Sequence, residues 1–273
     1  MTSFLSSLFT SNSSRFNKLL SNATLDTNVS EPSEAQVILL LETKKKRAHR
    51  IFHATVIEHL YNFRKGDIIL LQDSSEKAPK SLDCSQIRYV TPSNLRIAGW
   101  ESVIVSPLRD SLFRINERTK SAIQGILHTH ESFTPEHSLA NFRHLSAASE
   151  TLGHKAPFST EEYVRIVYNS SPSDKNVEKK IKRLSYMGTL LIKRNKEKYQ
   201  MLTFPILQDS LIQGIKKQAD RRRIFVIANS SHFKLTEAPN PEYVQKLQDY
   251  LGTTKYLVLD PERIDKICSE MAR

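Results

Sequence analysis

A chain of 273 residues with 39% hydrophobic content can bury more core than one small domain needs, while its longest apolar runs fall far short of the roughly 20 residues of a spanning helix. Forty Lys and Arg against 29 Asp and Glu leave a formal net charge of +11, which selects an acidic partner without specifying a fold. Two cysteines, Cys84 and Cys268, with no CxxC pair exclude a disulfide framework and a zinc ribbon, and seven glycines with no GxG exclude a dinucleotide fingerprint or a Walker-type phosphate loop.

Residues 1–25 contain no acid, are rich in Ser and Thr, and place Phe4, Leu5, Leu8, Phe16, Leu19 and Leu20 on one side of a helical wheel with Arg15 and Lys18 as cations. That composition is shared by mitochondrial transit peptides and by Ser-rich tails. The polar, Pro-containing stretch TLDTNVSEPSEA then reads as a linker, so residues 1–35 are expected to be address or tail plus linker.

Over residues 36–137 the runs QVILLLE, KGDIILLQD and NLRIAGWESVIVSP, with the loosely alternating RIFHATVIEHLYNF between them, predict short strands at small-barrel spacing. Lys65-Gly66-Asp67 leading into an apolar strand resembles the third strand of oligonucleotide-binding (OB) barrels. Lys44, Lys45, Lys46 and Arg47, interleaved in sequence with His53, Tyr61, Phe63, Tyr89 and Trp100, suit a surface on which bases stack and phosphates meet cations.

The segment GILHTHESFTPEHSLANFRH holds His128, His130, His137 and His144. His128, His130 and Ser138 fall in the register of the zinc site of JAMM/MPN metalloproteases, which this stretch resembles. It departs at Asn141, an amide where that family has a carboxylate ligand, and at Glu131, where it has Pro. A degenerate metalloprotein of that kind is one alternative function, with His128 and His130 as its candidate ligands. The residues themselves predict no bound metal or cofactor and no enzymatic activity.

Residues 138–206 read as three helices and a hairpin. Ser159 or Thr160 opens the second helix, with Glu162 near the capping-box position. In the third, Val177, Ile181 and Leu184 share a buried face, Lys175, Lys179, Lys182 and Tyr186 the opposite one, and Gly188 reads as the stop. TLLIKRN and YQMLTF then predict a hairpin tipped by Lys193, Arg194, Lys196 and Lys198. Helix, basic helix, Gly and basic hairpin together resemble a winged helix-turn-helix domain, and the resemblance implies nucleic-acid contact through these eight residues. Residues 165–223 carry +10 of the chain's +11.

Residues 207–273 read as strand, helix, strand, helix after a basic helix, a small α/β extension with Asn229 and Asp260 at strand ends. The expectation is thus an α+β chain with a barrel, a winged-helix-like domain and an α/β extension. It binds nucleic acid, RNA in preference to DNA, beside protein partners in a larger assembly, with no membrane insertion. With a transit peptide it serves mitochondrial gene expression in the matrix. With a mere tail it resembles nuclear single-stranded DNA-binding subunits of replication or telomere complexes.

Overall fold

The computed structural model describes residues 13–42, 47–57, 66–74, 97–127, 135–169 and 175–271. Helices and one six-stranded mixed sheet make the chain α+β in class. It divides into two compact units, residues 1–105 with 203–273, and residues 106–202.

In the first unit α1 (Ser13–Ala23) leads into β1 (Thr24–Thr27), then β2 (Val37–Glu42), α2 (Arg47–Thr55), β3 (Asp67–Ser74) and β4 (Ile97–Glu101). After the second unit come β5 (Arg223–Asn229), α7 (Pro241–Gly252), β6 (Tyr256–Leu259) and α8 (Asp265–Met271). The strand order is β1-β6-β2-β5-β3-β4, with β1 antiparallel to β6 and every other pair parallel. Parallel strands covered on both faces need unbroken apolar runs, which VILLLE, DIILL and IFVIA supply. The expected barrel is therefore an open sheet, because its strands pair through β5, which comes from the far end of the chain. By the same token β5 and β6 are the middle and flank of that sheet instead of a separate extension. Gly66, at φ +107°, makes the turn into β3 with a backbone that other residues rarely adopt.

Side chains alternate across the sheet. Ile38, Leu40, Ile69, Leu71, Phe225, Leu257 and Leu259 form one core with Leu20 and Ala23 of α1, Phe52 of α2 and Cys268 of α8. Residues 13–27, expected in a tail and linker, are thus structural: Leu20 and Ala23 are fully buried and β1 pairs with β6. The stretch RIFHATVIEHLYNF, expected as a strand, is helical at its start because Ala48, Phe52 and Val56 recur at helical spacing on that core. The opposite face presents Val37, Leu39, Leu41, Leu70, Ile224 and Val226, all buried.

The second unit holds α3 (Val105–Leu127) from Ser106 onward, α4 (Pro135–Thr151), α5 (Thr160–Asn169) and α6 (Lys175–Lys216) as far as Leu202. Its core joins Ala122 and Ile126 of α3, Phe142 and Leu145 of α4, Phe158, Tyr163 of α5 and Leu184 of α6. Phe142 stacks on Tyr163 with ring centroids 4.3 Å apart, and Phe158 meets both edge-on. The capping box forms at Ser159: the Glu162 amide donates to Ser159 Oγ (3.2 Å) and the Ser159 amide to Glu162 Oε2 (2.8 Å).

Neither a stop at Gly188 nor a hairpin follows. α6 runs unbroken for 42 residues, through every position expected to form the wing. The apolar beat continues past the glycine as Leu184, Met187 and Leu191, and KRNKEK contains strong helix formers and no Gly or Pro to turn the chain. Gly188 is present for space: a Cβ there would stand 2.7 Å from Leu145 Cδ2 and 2.9 Å from Ile123 Cδ1. A Gly188→Val substitution should therefore destabilise this unit by about 1–3 kcal/mol, whereas Ala recovers part of its clash through helix propensity. Chemical denaturation followed by circular dichroism measures this, and a valine variant as stable as the parent would disprove the close approach. Further along, Pro205 interrupts one bond of the ladder in the part of α6 that belongs to the sheet unit.

Candidate nucleic-acid interface

With 3.6 residues per turn, Lys175, Lys179, Lys182, Tyr186, Lys193 and, at its margin, Lys196 lie along one side of α6, and all are exposed. The structure thus brings most of the predicted helix and wing cations onto a single helix face. Tyr186 stands out among them at 56% exposure. Lys182 donates to Glu178 Oε1 at 2.5 Å and Lys193 lies 3.9 Å from Glu197 Oε1, both exposed i,i+4 pairs that a stronger anion can displace at little cost. The Lys182 bond, ahead of its charge, holds the Glu178 carboxyl below its ordinary value. Among the described residues no carboxylate pairs with Lys175, Lys179, Lys196 or Lys198.

Two other cations are committed to the fold. Arg194, predicted on the wing, donates from Nη1 to the Thr151 carbonyl (3.0 Å), satisfying the end of α4. Lys180 lies over the Phe158 ring at 5.0 Å and 3.9 Å from Glu162. The basic run before β5 divides likewise: Arg222 pairs with buried Asp67 at 3.2 Å, and Lys216 lies over Tyr250.

Lys44, Lys45 and Lys46 lie outside the described residues, as do Tyr61, Phe63 and Tyr89, and Arg47 opens α2. Trp100 and His53 are buried, so neither can stack on a base. His53 Nε2 donates to the Leu41 carbonyl at 3.1 Å.

His128, His130 and Glu131 lie outside the described residues. Ser138 bonds the Tyr163 hydroxyl at 3.3 Å, and the Asn141 amide lies where a Cβ on Gly125 would be, so both residues pack helix on helix. His144 Nε2 is 3.0 Å from Thr119 Oγ1, and burial, with the Arg118 charge, keeps its pKa below the ordinary value. Among the described residues no group of three His, Cys, Asp or Glu could hold a metal ion.

A second polar region, of which the sequence reading named Asn229 and Asp260 alone, lies at the carboxyl ends of the parallel strands. β2 continues through α2 on one face of the sheet, and β5 through α7 on the other, where Gln208 of α6 donates to the Tyr243 carbonyl at 3.2 Å. At those strand ends Glu42 and Asn229 are a cross-strand pair. Just beyond β5, His232 is 2% exposed, stacked on Phe204 and met edge-on by Trp100, both at 5.3 Å. Gln208 Nε2 donates to two carbonyls, His232 at 2.8 Å and Tyr243, so its Oε1 is the atom that accepts from His232 Nδ1 at 3.1 Å. That fixes the neutral imidazole with its proton on Nδ1 and leaves Nε2 as a hydrogen-bond acceptor. Asn229 and Asp260 each cap a short 3-10 helix, at Ser231 and Glu262.

No family model matches the chain, and neither does any curated protein or solved structure.

Proposed function

We propose that the chain binds nucleic acid through the exposed cationic face of α6, without enzymatic activity, as an RNA-binding component of mitochondrial gene expression that works beside protein partners. The observation that carries this reading is the alignment of Lys175, Lys179, Lys182 and Lys193 with Tyr186 along one side of one helix, where the acids beside them are the exposed i,i+4 partners Glu178 and Glu197. A phosphate chain gains from such a line by counterion release, which depends on the number of cations contacted. RNA is favoured for the mitochondrial role that the acid-free composition of residues 1–25 supports. An address cleaved near residue 25 would remove Leu20 and Ala23 from the core, so this reading confines the leader to the residues before α1 or has it retained. Among the described residues no helix is long and apolar enough to cross a membrane.

Replacing Lys179 and Lys182 together by Ala tests the interface. Affinity for RNA should fall, and the slope of log K against log salt should drop by about one to two units, because each lost phosphate contact removes nearly one unit. The fold should survive, since both side chains are exposed and the Lys182 pair with Glu178 contributes little. Binding isotherms across a salt series that leave both affinity and slope unchanged would remove the interface from α6.

A further inference from the structure

On the cationic face the lysines of α6 fall into two groups: Lys175, Lys179 and Lys182, with Glu178 beside them, then Lys193 and Lys196, with Glu197 beside them. Residues 184–192 between them carry no charge. At 1.5 Å per residue the group centres are about 24 Å apart. This spacing is held by packing, because the neutral stretch is where α6 is anchored in its unit. Leu184, Met187 and Leu191 are buried, and Gly188 lets Leu145 and Ile123 close on the helix backbone. A helix anchored in this way cannot flex to bring the two groups together.

We infer that this face bridges a groove of a double-stranded nucleic acid, one lysine group on each flanking ridge of phosphates. The inference rests on the nucleic-acid reading and specifies its substrate class. A duplex is stiff and repeats the order ridge, groove, ridge, which matches the order cation group, neutral stretch, cation group. Over the groove the helix presents Tyr186, a residue able to lie against sugar and base edges without meeting a phosphate. A single strand asks for something else: a curved channel with several aromatic platforms, since base stacking supplies much of the affinity. Tyr186 is the one strongly exposed aromatic ring among the described residues of this face, and the earlier candidates Trp100 and His53 are buried.

The test uses the full chain with four probes of one sequence: a 20-base-pair RNA duplex, the DNA duplex, and the two corresponding single strands, titrated by fluorescence anisotropy across a salt series. At least one duplex should bind about tenfold more tightly than either single strand, with a salt slope near the four to five units that five lysine contacts predict. Which duplex binds more tightly identifies the nucleic acid, and either preference supports the inference. Lys175→Ala with Lys179→Ala, and separately Lys193→Ala with Lys196→Ala, should each weaken duplex binding by about tenfold, since losing either group leaves contact to one ridge. Single strands bound as tightly as duplexes would overturn the duplex assignment and leave the nucleic-acid reading standing. Lysine-pair variants that bind all four probes like the parent would overturn both.

Discussion

Acidification from pH 6.5 to pH 4 should remove about 3 kcal/mol of stability from the sheet unit through one residue, His232. Its ring lies between Trp100 and Phe204 with Nδ1 bonded to Gln208, and burial lowers its pKa from 6.5 to about 4. Between those values the unfolded chain binds a proton that the folded one refuses, so stability rises with pH across the window and falls as the pH drops. A separation of about 2.5 units, at 1.36 kcal/mol each, sets the size. Glu237, the carboxylate nearest in sequence, is engaged by Lys234. The measurement is urea stability at a series of pH values for the parent and His232→Phe. The variant should be less stable at pH 7, because Gln208 loses a donor, yet its stability should change by about 3 kcal/mol less between pH 6.5 and 4. Equal slopes in the two proteins would show that other groups carry the acid response.

Replacing Lys234 with Met should cost the same unit about 3 kcal/mol at neutral pH. Its ammonium lies 2.9 Å from Asp260 Oδ2, 3.1 Å from Glu237 Oε1 and 3.3 Å from Glu262 Oε2. Burial alone would lower the lysine pKa, but the bonds to these carboxylates outweigh it and raise the value above the ordinary lysine range. Removing the cation leaves Asp260, whose side chain is only 3% exposed, as an uncompensated buried charge, and breaking such pairs typically costs about 3–5 kcal/mol. The lower end applies because Glu237 and Glu262 are each about one-third exposed. Asp260→Asn in the Lys234→Met background should restore part of the loss, since an amide keeps the cap on the Glu262 amide without the charge. A cost below about 1 kcal/mol for the single variant would mean that water screens the cluster.

Much of the local structure was legible. The strands QVILLLE and GDIILLQD, the Ser159 cap and the alternation of strand and helix after residue 222 follow from side-chain periodicity and capping chemistry, both local properties. Strand partnership was not, because Val37 finds Ile224 across the whole second unit and nothing near either residue specifies that pairing. Gly188 misled for a related reason. A glycine that stops a helix and one that admits a neighbouring helix look alike until Leu145 and Ile123 are in place. Of the candidate interface, the cations and the shared face of Lys175, Lys179, Lys182 and Tyr186 were legible, while the continuation of that face to Lys193 was not, since a hairpin at residue 193 would have turned the second group away. At the carboxyl edge Asn229 and Asp260 were legible as strand-end residues, but the pairing of Gln208 with His232 was not: they are 24 residues apart, on elements that meet only in the folded unit.

The sheet's topology also determines the order in which the chain can fold. A ribosome releases β2, β3 and β4 long before β5, the strand that pairs with both β2 and β3. Until then three apolar strands wait with unpaired edges, whereas residues 106–202 are contiguous in the chain and form a helical unit that can fold as soon as it emerges. The earliest part of the polypeptide is consequently the last to be protected, and its yield in cells should depend on holdase chaperones that shield VILLLE and DIILL through that interval.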